Sequence, residues 1–135
     1  MIYHGIDMIE VARITHAIER YGERFLKRVF TNAEIVRYGD RPSSLAARWA
    51  AKEATAKLLG VGLRGLGAGT QFAGVAWTDI EVIGDELGQP TITLSGAAEQ
   101  RACTLGIATL ALSLTHTRDL AIASVVGLGS NTDTH

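Results

Sequence analysis

Apolar and polar residues alternate at the start of the chain in a pattern that predicts a strand followed by an amphipathic helix. The run from Met1 to Ile6 has strand character and is expected to end at Asp7. From Val11 onward, apolar residues recur at steps of three and four, which places them on one face of a helix. This stripe consists of Ile14, Ile18, Tyr21 and Phe25. We expect Gly22 to break or bend the helix, because glycine is a poor helix former.

Two further helices are marked by the residues at their starts. Thr31 precedes Glu34 by three residues, which is the spacing of a capping box. Pro42 and the serines after it favour a helix entrance. The segment 44–59 then contains six alanines and neither glycine nor proline, and Gly60 ends it. We therefore predict the strongest helix of the chain there.

The second half of the chain has the pattern of β structure. Six glycines between Gly60 and Gly74 indicate a loop or several turns. The elements predicted after it are strands at 79–83 and 91–94 around a turn at 84–90, a helix at 95–105 capped by Ser95, and a hairpin of 108–115 and 120–126 joined by 116–119. Together these elements predict an α+β fold in which helices pack on an antiparallel sheet.

Composition limits the classes of protein that the chain can belong to. With 135 residues and 47% hydrophobic residues, it is expected to form one globular domain, assigned to 1–127, with a polar C-terminal tail at 128–135. Because 13 Lys and Arg stand against 14 Asp and Glu, a general nucleic-acid binder is not expected. No apolar stretch is long enough for a membrane span. The single cysteine, Cys103, and the absence of a signal-peptide pattern indicate a reducing cytoplasm.

The sequence lacks several common nucleotide-binding and catalytic motifs. Residues 60–65 match the letters of the dinucleotide motif G-x-G-x-x-G. That motif requires a preceding strand, whereas here a helix precedes it, so we interpret it as a helix C-cap and loop. The chain has no Walker A or G-x-S-x-G motif, and its four histidines lack metal-ligand spacing.

Two acidic residues are candidates for a metal site, although each has an ordinary alternative. Asp7 follows a strand and could cap the next helix, and Glu53 could form a surface ion pair with Lys57 four residues later. Mg²⁺ is commonly held by one or two carboxylates together with phosphate oxygens and water. Arg48 and Lys52 make the same helix cationic, which suits either a phosphate or solvent. From these residues alone, both interpretations stay open.

A basic stripe accompanies the first apolar stripe. Arg13, Arg20 and Arg24 lie in register along the helix. Arginines often flank a core-facing stripe with their heads in solvent. Three arginines in register can also attract an acidic partner protein. The sequence alone is compatible with both roles.

Several segments together resemble the holo-acyl-carrier-protein synthase family, the small phosphopantetheinyl transferases of lipid synthesis. The segments are GIDMIEVARI at 5–14, FTNAE at 30–34, ARWAAKEA at 47–54, DIEV at 79–82 with Gly88 and Pro90 after it, and SLTH at 113–116. Their order and spacing extend over most of the chain. The glycine-rich stretch at 60–74 is longer than the family's usual pattern, which leaves open how an adenine would be held.

The resemblance implies an enzymatic reaction and a set of roles. Coenzyme A would donate its 4′-phosphopantetheine to a serine of an acyl carrier protein, releasing adenosine 3′,5′-bisphosphate. Asp7 and Glu53 would hold Mg²⁺, and Lys57 would reach the same phosphate oxygens. Lys52 and Arg48 would contact the pyrophosphate or the 3′-phosphate. The base that takes the serine proton stays open between Glu53 and a water molecule.

The resemblance also implies partners. His116 would face the 3′-phosphate, and Arg13, Arg20 and Arg24 would dock the acidic carrier. The expected assembly is a cytoplasmic homotrimer in fatty acid biosynthesis, with active sites between neighbouring subunits. Two alternatives belong to other classes: a non-catalytic module that binds a carrier domain or a nucleotide, and a small-molecule phosphotransferase. A pure binding module would need neither Asp7 nor Glu53.

Overall fold

One long helix lies across an antiparallel sheet in this protein. The computed structural model describes residues 1–64 and 74–130. The elements in chain order are β1 (Ile2–Glu10), α1 (Val11–Tyr21), α2 (Glu23–Val29), α3 (Asn32–Tyr38), α4 (Pro42–Leu59), a 3-10 turn (Trp77–Asp79), β2 (Ile80–Gly84), β3 (Pro90–Leu94), α5 (Gly96–Leu105), β4 (Ile107–His116) and β5 (Leu120–Gly129). The predicted α+β class is confirmed.

The strands form two antiparallel units. The first is a three-stranded sheet in the order β1-β5-β4, and the second is the hairpin of β2 and β3. The N-terminal strand is therefore paired with the C-terminal strand, with Asp7 opposite Ala123. Both predicted hairpins are present at the predicted positions.

The predicted helix boundaries follow from local chemistry. The Thr31 side chain accepts a hydrogen bond from the backbone N–H of Glu34, whose carboxylate accepts one from the Thr31 N–H, which confirms the capping box. Gly22 separates α1 from α2 at φ 58°, and Gly60 ends α4 at φ 70°. Both values lie in the left-handed region that glycine adopts without strain.

Several predicted boundaries differ from the structure. β1 does not end at Asp7 but continues to Glu10, because its pairing with β5 extends through Leu120. The interpretation of Asp7 as a helix cap is therefore wrong, and Glu10 occupies the N-cap position of α1. Ser95 is at the N-cap of α5 but its side chain forms no cap hydrogen bond.

Two predicted segments extend beyond the described residues. β5 continues through Gly129, so the first residues assigned to the polar tail belong to a strand. The rest of that tail, 131–135, and most of the glycine-rich stretch, 65–73, lie outside the described residues.

None of the helices in the described part of the chain combines the length and apolarity that a bilayer crossing requires.

The core lies between α4 and the inner face of the three-stranded sheet. Odd-numbered residues of β1 and β5 face α4, and even-numbered residues face away. The inner positions include small residues such as Gly5, Ala121 and Ala123. The helix α4 contributes six buried alanines, Ala46, Ala47, Ala50, Ala51, Ala54 and Ala56. Small side chains on both surfaces allow the helix and the sheet to approach closely, which brings polar residues of α4 near β1.

Candidate active site

The structure brings together three of the predicted site residues where α4 crosses β1. Asp7 faces the helix from the inner face of β1, and the Lys57 ammonium lies 3.0 Å from Asp7 Oδ1. The same ammonium donates to the carbonyl oxygen of Ile6 at 3.1 Å. The Lys57 side chain is 56% exposed and that of Asp7 is 17% exposed, so the pair lies at the surface. Lys57 therefore pairs with Asp7, not with Glu53 as the surface ion-pair alternative required.

Glu53 belongs to the same charge cluster. Burial raises the pKa of its carboxyl group, and the charge of Asp7 raises it further, while Lys57 and Arg13 act in the opposite direction. A half-buried acid beside a second acid and two cations is a common feature of functional sites. The charges of Asp7, Lys57 and Arg13 thus all act on Glu53, and β1, α1 and α4 contribute to one charge cluster.

The donor set of this cluster fits Mg²⁺ bound together with a substrate. Asp7 and Glu53 offer hard carboxylate oxygens, and their mutual repulsion is relieved when a divalent cation lies between them. In the described part of the chain, no group of three acidic, histidine or cysteine side chains is arranged around one point. Mg²⁺ typically keeps several positions for water and substrate phosphates, so two carboxylates suffice.

A groove of about 450 Å³ lies between α1, α2 and α4. Its charged lining consists of Arg13, Arg24 and Arg28, and the remainder is mostly apolar or aromatic: Ile9, Ile14, Ala17, Tyr21, Phe25 and Trp49. Arg20 stands beside the groove, with its guanidinium 5.6 Å from the centre of the Tyr21 ring. The predicted basic stripe is thus the rim of a concave surface.

Two aromatic rings that line this groove, Phe25 and Trp49, are backed by the buried ring of Trp77. The rings of Phe25 and Trp49 are stacked with centroids 5.9 Å apart, and Trp49 lies 4.3 Å from Trp77. Trp49 is one turn before Glu53 on α4, so the groove leads toward the acidic cluster.

Sequence reasoning missed two groove residues, Arg28 and Trp49. The basic stripe crosses Gly22, where α1 ends, and α2 begins with a different phase that brings Arg28 to the groove. The spacing of Trp49 from Glu53 was the available signal, since residues four apart share a helix face.

Lys52 lies beneath the site and not in it. Its ammonium is fully buried and donates to Glu34 Oε1 at 2.8 Å and to the carbonyl oxygens of Ile80 and Trp77 at 2.6 and 3.1 Å. An ammonium has three N–H groups, and all three are used. Burial lowers the pKa of Lys52, and Glu34 opposes this effect. The expected contact with a pyrophosphate is therefore corrected, because Lys52 is committed to the protein interior.

Arg48 is also engaged in holding the fold. Its guanidinium lies 3.7 Å from the centre of the Tyr38 ring, and its Nε donates to the carbonyl oxygen of Val82 at 3.3 Å. The side chain is buried between α3, α4 and β2. Arg48 thus holds α4 against β2 and Tyr38, and the expectation that it contacts a phosphate stays a prediction.

His116 is placed apart from the acidic cluster. It is the exposed last residue of β4, opposite Ala121, which in turn is opposite Ile9 of β1. Two strand spacings, about 10 Å, separate its backbone from β1. A single copy of the described chain therefore does not bring His116 into contact with Asp7.

Comparisons with known proteins agree on one family. The family model of the 4′-phosphopantetheinyl transferase superfamily matches residues 4–124. The chain is 54% identical over 129 residues to a holo-(acyl-carrier-protein) synthase of Herpetosiphon aurantiacus, covering 96% of this chain and 100% of that protein.

Solved structures give the same result. The holo-(acyl-carrier-protein) synthase of Helicobacter pylori, solved in complex with coenzyme A, is 34% identical, with a TM-score of 0.75 over 95% of this chain and 100% of that one. The corresponding enzyme of Neisseria meningitidis is 31% identical, with a TM-score of 0.80 over 95% and 99% of the two chains.

Proposed function

The chain belongs to the 4′-phosphopantetheinyl transferase superfamily, and we propose that its active site is the cluster of Asp7, Glu53 and Lys57. The protein transfers the 4′-phosphopantetheine group of coenzyme A to a serine of an apo acyl carrier protein. The observation that carries the site proposal is the meeting of two carboxylates and an exposed ammonium at the end of an arginine-lined groove.

The reaction is a phosphoryl transfer in which positioning and charge neutralisation do most of the work. The serine oxygen forms a bond to the phosphorus of phosphopantetheine, the bond from that phosphorus to the bridging oxygen breaks, and adenosine 3′,5′-bisphosphate departs. The serine proton passes to a base. A divalent cation held by Asp7 and Glu53 would neutralise charge on the pyrophosphate oxygens. Lys57 is exposed enough to turn from Asp7 toward those oxygens and bind them.

The groove supports a docking role for the arginines. Arg13 and Arg24 line it and Arg20 flanks it, while its floor is apolar. An acidic helix with apolar side chains on one face complements such a surface, because the charges steer association and the floor buries apolar area. We assign Arg13 to docking, and its charge also acts on Glu53.

The outer face of the sheet supports assembly into a homotrimer. Five of its apolar residues are exposed: Ile2, Ile6, Met8, Leu120 and Leu128. Ile6 and Met8, at 54% and 60% exposure, are adjacent on one strand of a sheet whose other face is already buried by α4. An exposed apolar patch of this kind, interrupted here by the hydrogen-bonded pair of His4 and Ser124, marks an interface. In such an assembly, His116 would reach the 3′-phosphate at a neighbouring subunit's site, since it is remote from Asp7 in its own chain.

We further propose that the enzyme acts in the cytoplasm, in fatty acid biosynthesis. Cys103 is an exposed free thiol, which suits a reducing compartment. The carrier protein is the substrate that links the reaction to acyl-chain synthesis.

The test combines purified protein, Mg²⁺, coenzyme A and apo carrier, followed by mass spectrometry of the carrier. We expect the carrier to gain one phosphopantetheine, and Glu53→Gln to abolish the gain while the circular dichroism spectrum is kept. Glu99→Gln, which neutralises an exposed acid on α5, is the matched control and should retain activity. A non-catalytic module would bind the carrier without changing its mass. An active Glu53→Gln enzyme would contradict the proposed site.

A further inference from the structure

Gly5 lies directly beneath the backbone of α4. A Cβ atom at this position would overlap the carbonyl oxygen of Ala54 and would lie only 2.9 Å from its carbonyl carbon and 3.1 Å from the backbone nitrogen of Leu58. Carbon atoms in contact are normally separated by about 3.5–4.0 Å. All three neighbours are backbone atoms of a helix, so no side-chain rotation relieves the overlap. Any side chain at residue 5 would therefore displace α4 outward, by roughly 1 Å.

The proposed active-site residues lie on β1 and α4, within one or two residues of the contact between Gly5 and the helix. Asp7 is two residues after Gly5, so both face α4 from the same side of β1. On α4, the residues that contact Gly5 are Ala54 and Leu58. Glu53 comes directly before Ala54, and Lys57 comes directly before Leu58. The closest approach of helix and strand is thus immediately beside the acidic cluster. The separation of Asp7 from Glu53 and Lys57 depends on this approach.

We propose that Gly5 is a positioning residue for the transfer reaction: its missing side chain sets the distance at which Glu53 and Lys57 face Asp7. This inference rests on the proposed function of these three residues. It also gives a physical reason for a glycine two residues before the acid. Alternate residues of a strand lie on one face of the sheet. Gly5, which contacts α4, and Asp7, which faces α4, are therefore neighbours on that face.

Gly127 provides a matched control on the same sheet. It lies in β5 and also faces α4. A Cβ atom there would lie 3.3–3.4 Å from the side-chain ends of Leu110, Ile107 and Leu58. These are terminal methyl groups, which shift at little cost, whereas the neighbours of Gly5 are backbone. Gly127→Ala should therefore leave the position of α4 unchanged.

The experiment measures Mn²⁺ binding in the presence of coenzyme A and in the absence of a carrier, so that no turnover occurs. Free Mn²⁺ is quantified by electron paramagnetic resonance. We expect Gly5→Ala to weaken Mn²⁺ binding at least tenfold, while Gly127→Ala changes it less than twofold. Circular dichroism and size-exclusion chromatography establish that the variants are folded.

A rescue variant separates positioning from a general loss of packing. Asp7→Glu lengthens the acid by one methylene, about 1.3 Å, which matches the displacement expected of α4. We expect Asp7→Glu to weaken Mn²⁺ binding in the native background and to strengthen it in the Gly5→Ala background. A purely structural role for Gly5 would give losses of the same sign in both backgrounds.

The outcomes distinguish this inference from the proposed function on which it rests. If the unmodified protein and Asp7→Ala bind Mn²⁺ equally, the proposed metal site is wrong. If the unmodified protein binds Mn²⁺ through Asp7 and folded Gly5→Ala binds it as well, only the inference about Gly5 is overturned. If Gly5→Ala does not fold, Gly127→Val replaces it, because a branched side chain fills more space than a small shift of the surrounding methyl groups can provide and so presses α4 outward through Leu58. Binding weakened there and restored by Asp7→Glu supports the inference, and unchanged binding contradicts it.

Discussion

Replacing Lys52 with methionine separates a structural role from a phosphate-binding role for this lysine. The fully buried ammonium pairs with Glu34, which is itself fully buried. The two oxygens of Glu34 also accept hydrogen bonds from the backbone N–H groups of Thr31 and Val82, at 2.8 and 2.7 Å. The ion pair therefore joins the start of α3, the middle of α4 and the strand β2. Lys52→Met keeps most of the apolar stem and removes only the charge and its hydrogen bonds.

The expected loss of stability follows from the contacts that this change breaks. Removing one partner of a buried ion pair costs about 3–5 kcal/mol, because the other charge stays buried. The carbonyl oxygens of Trp77 and Ile80 each lose a donor, at about 1 kcal/mol apiece. The two backbone donors to Glu34 remain and offset part of the loss. These contributions come to about 5–7 kcal/mol, and with an offset of about 1–2 kcal/mol we expect a loss of about 4–5 kcal/mol, a large part of the roughly 5–15 kcal/mol stability of an ordinary domain.

Urea unfolding with linear extrapolation measures the loss, and the KM for coenzyme A of the folded enzyme measures any role in binding. Neutralising both partners, in Lys52→Met with Glu34→Gln, should recover part of the lost stability, because no charge is then left buried. Lys57→Met is the contrasting variant: its ion pair is exposed, so it should cost under about 1 kcal/mol while greatly reducing activity. A Lys52→Met enzyme that unfolds like the unmodified protein but has a KM for coenzyme A raised tenfold would refute the structural role.

Three further predictions concern the groove, the acids and the assembly. Arg13→Glu should weaken carrier binding at least tenfold, because it reverses a charge on the groove rim, and it should change coenzyme A binding far less. Calorimetric titration with each ligand measures the two affinities. Equal losses of affinity for both ligands would exclude the docking role. In the folded protein the pKa of Glu53 lies above its ordinary value of 4.5. The folded state therefore binds this proton more tightly than the unfolded chain does, and the metal-free protein loses stability as pH rises from 4.5 through the pKa of the folded state. Thermal unfolding against pH should show this decline, and Glu53→Gln should remove it. Met8→Glu, on the outer sheet face, should yield monomers in light scattering, whereas Leu87→Glu, at an equally apolar but isolated exposed position, should leave the assembly intact.

The fold was predictable from local patterns wherever the chemistry is local. The capping box at Thr31, the helix stops at Gly22 and Gly60, and both hairpins are determined by neighbouring residues. The end of β1 was not, because its last residues pair with β5, more than a hundred residues away in the chain. Long-range pairing extended the strand through Asp7, where local signals favoured a helix cap.

The sequence could predict which kinds of residue form the candidate site, and only some of the individual residues. The resemblance to the family's motifs implied roles for Asp7, Glu53 and Lys57, and the structure brings these three residues together. It could not separate Lys57 from Lys52, because both are cations on one alanine-rich helix. Burial makes that distinction: Lys52 points into the interior toward Glu34, and Lys57 points to the surface.

The sequence by itself indicated the family and the class of reaction through its resemblance to known motifs, and it predicted most of the helices and turns from residue type and local spacing. The tertiary structure alone decided which cations face the site and which hold the fold, since that depends on the direction of each side chain from α4. It also decided how near the acids lie to one another. That distance is set where the carbonyl group of Ala54 meets Gly5, and such a contact between distant segments leaves no local pattern in the chain.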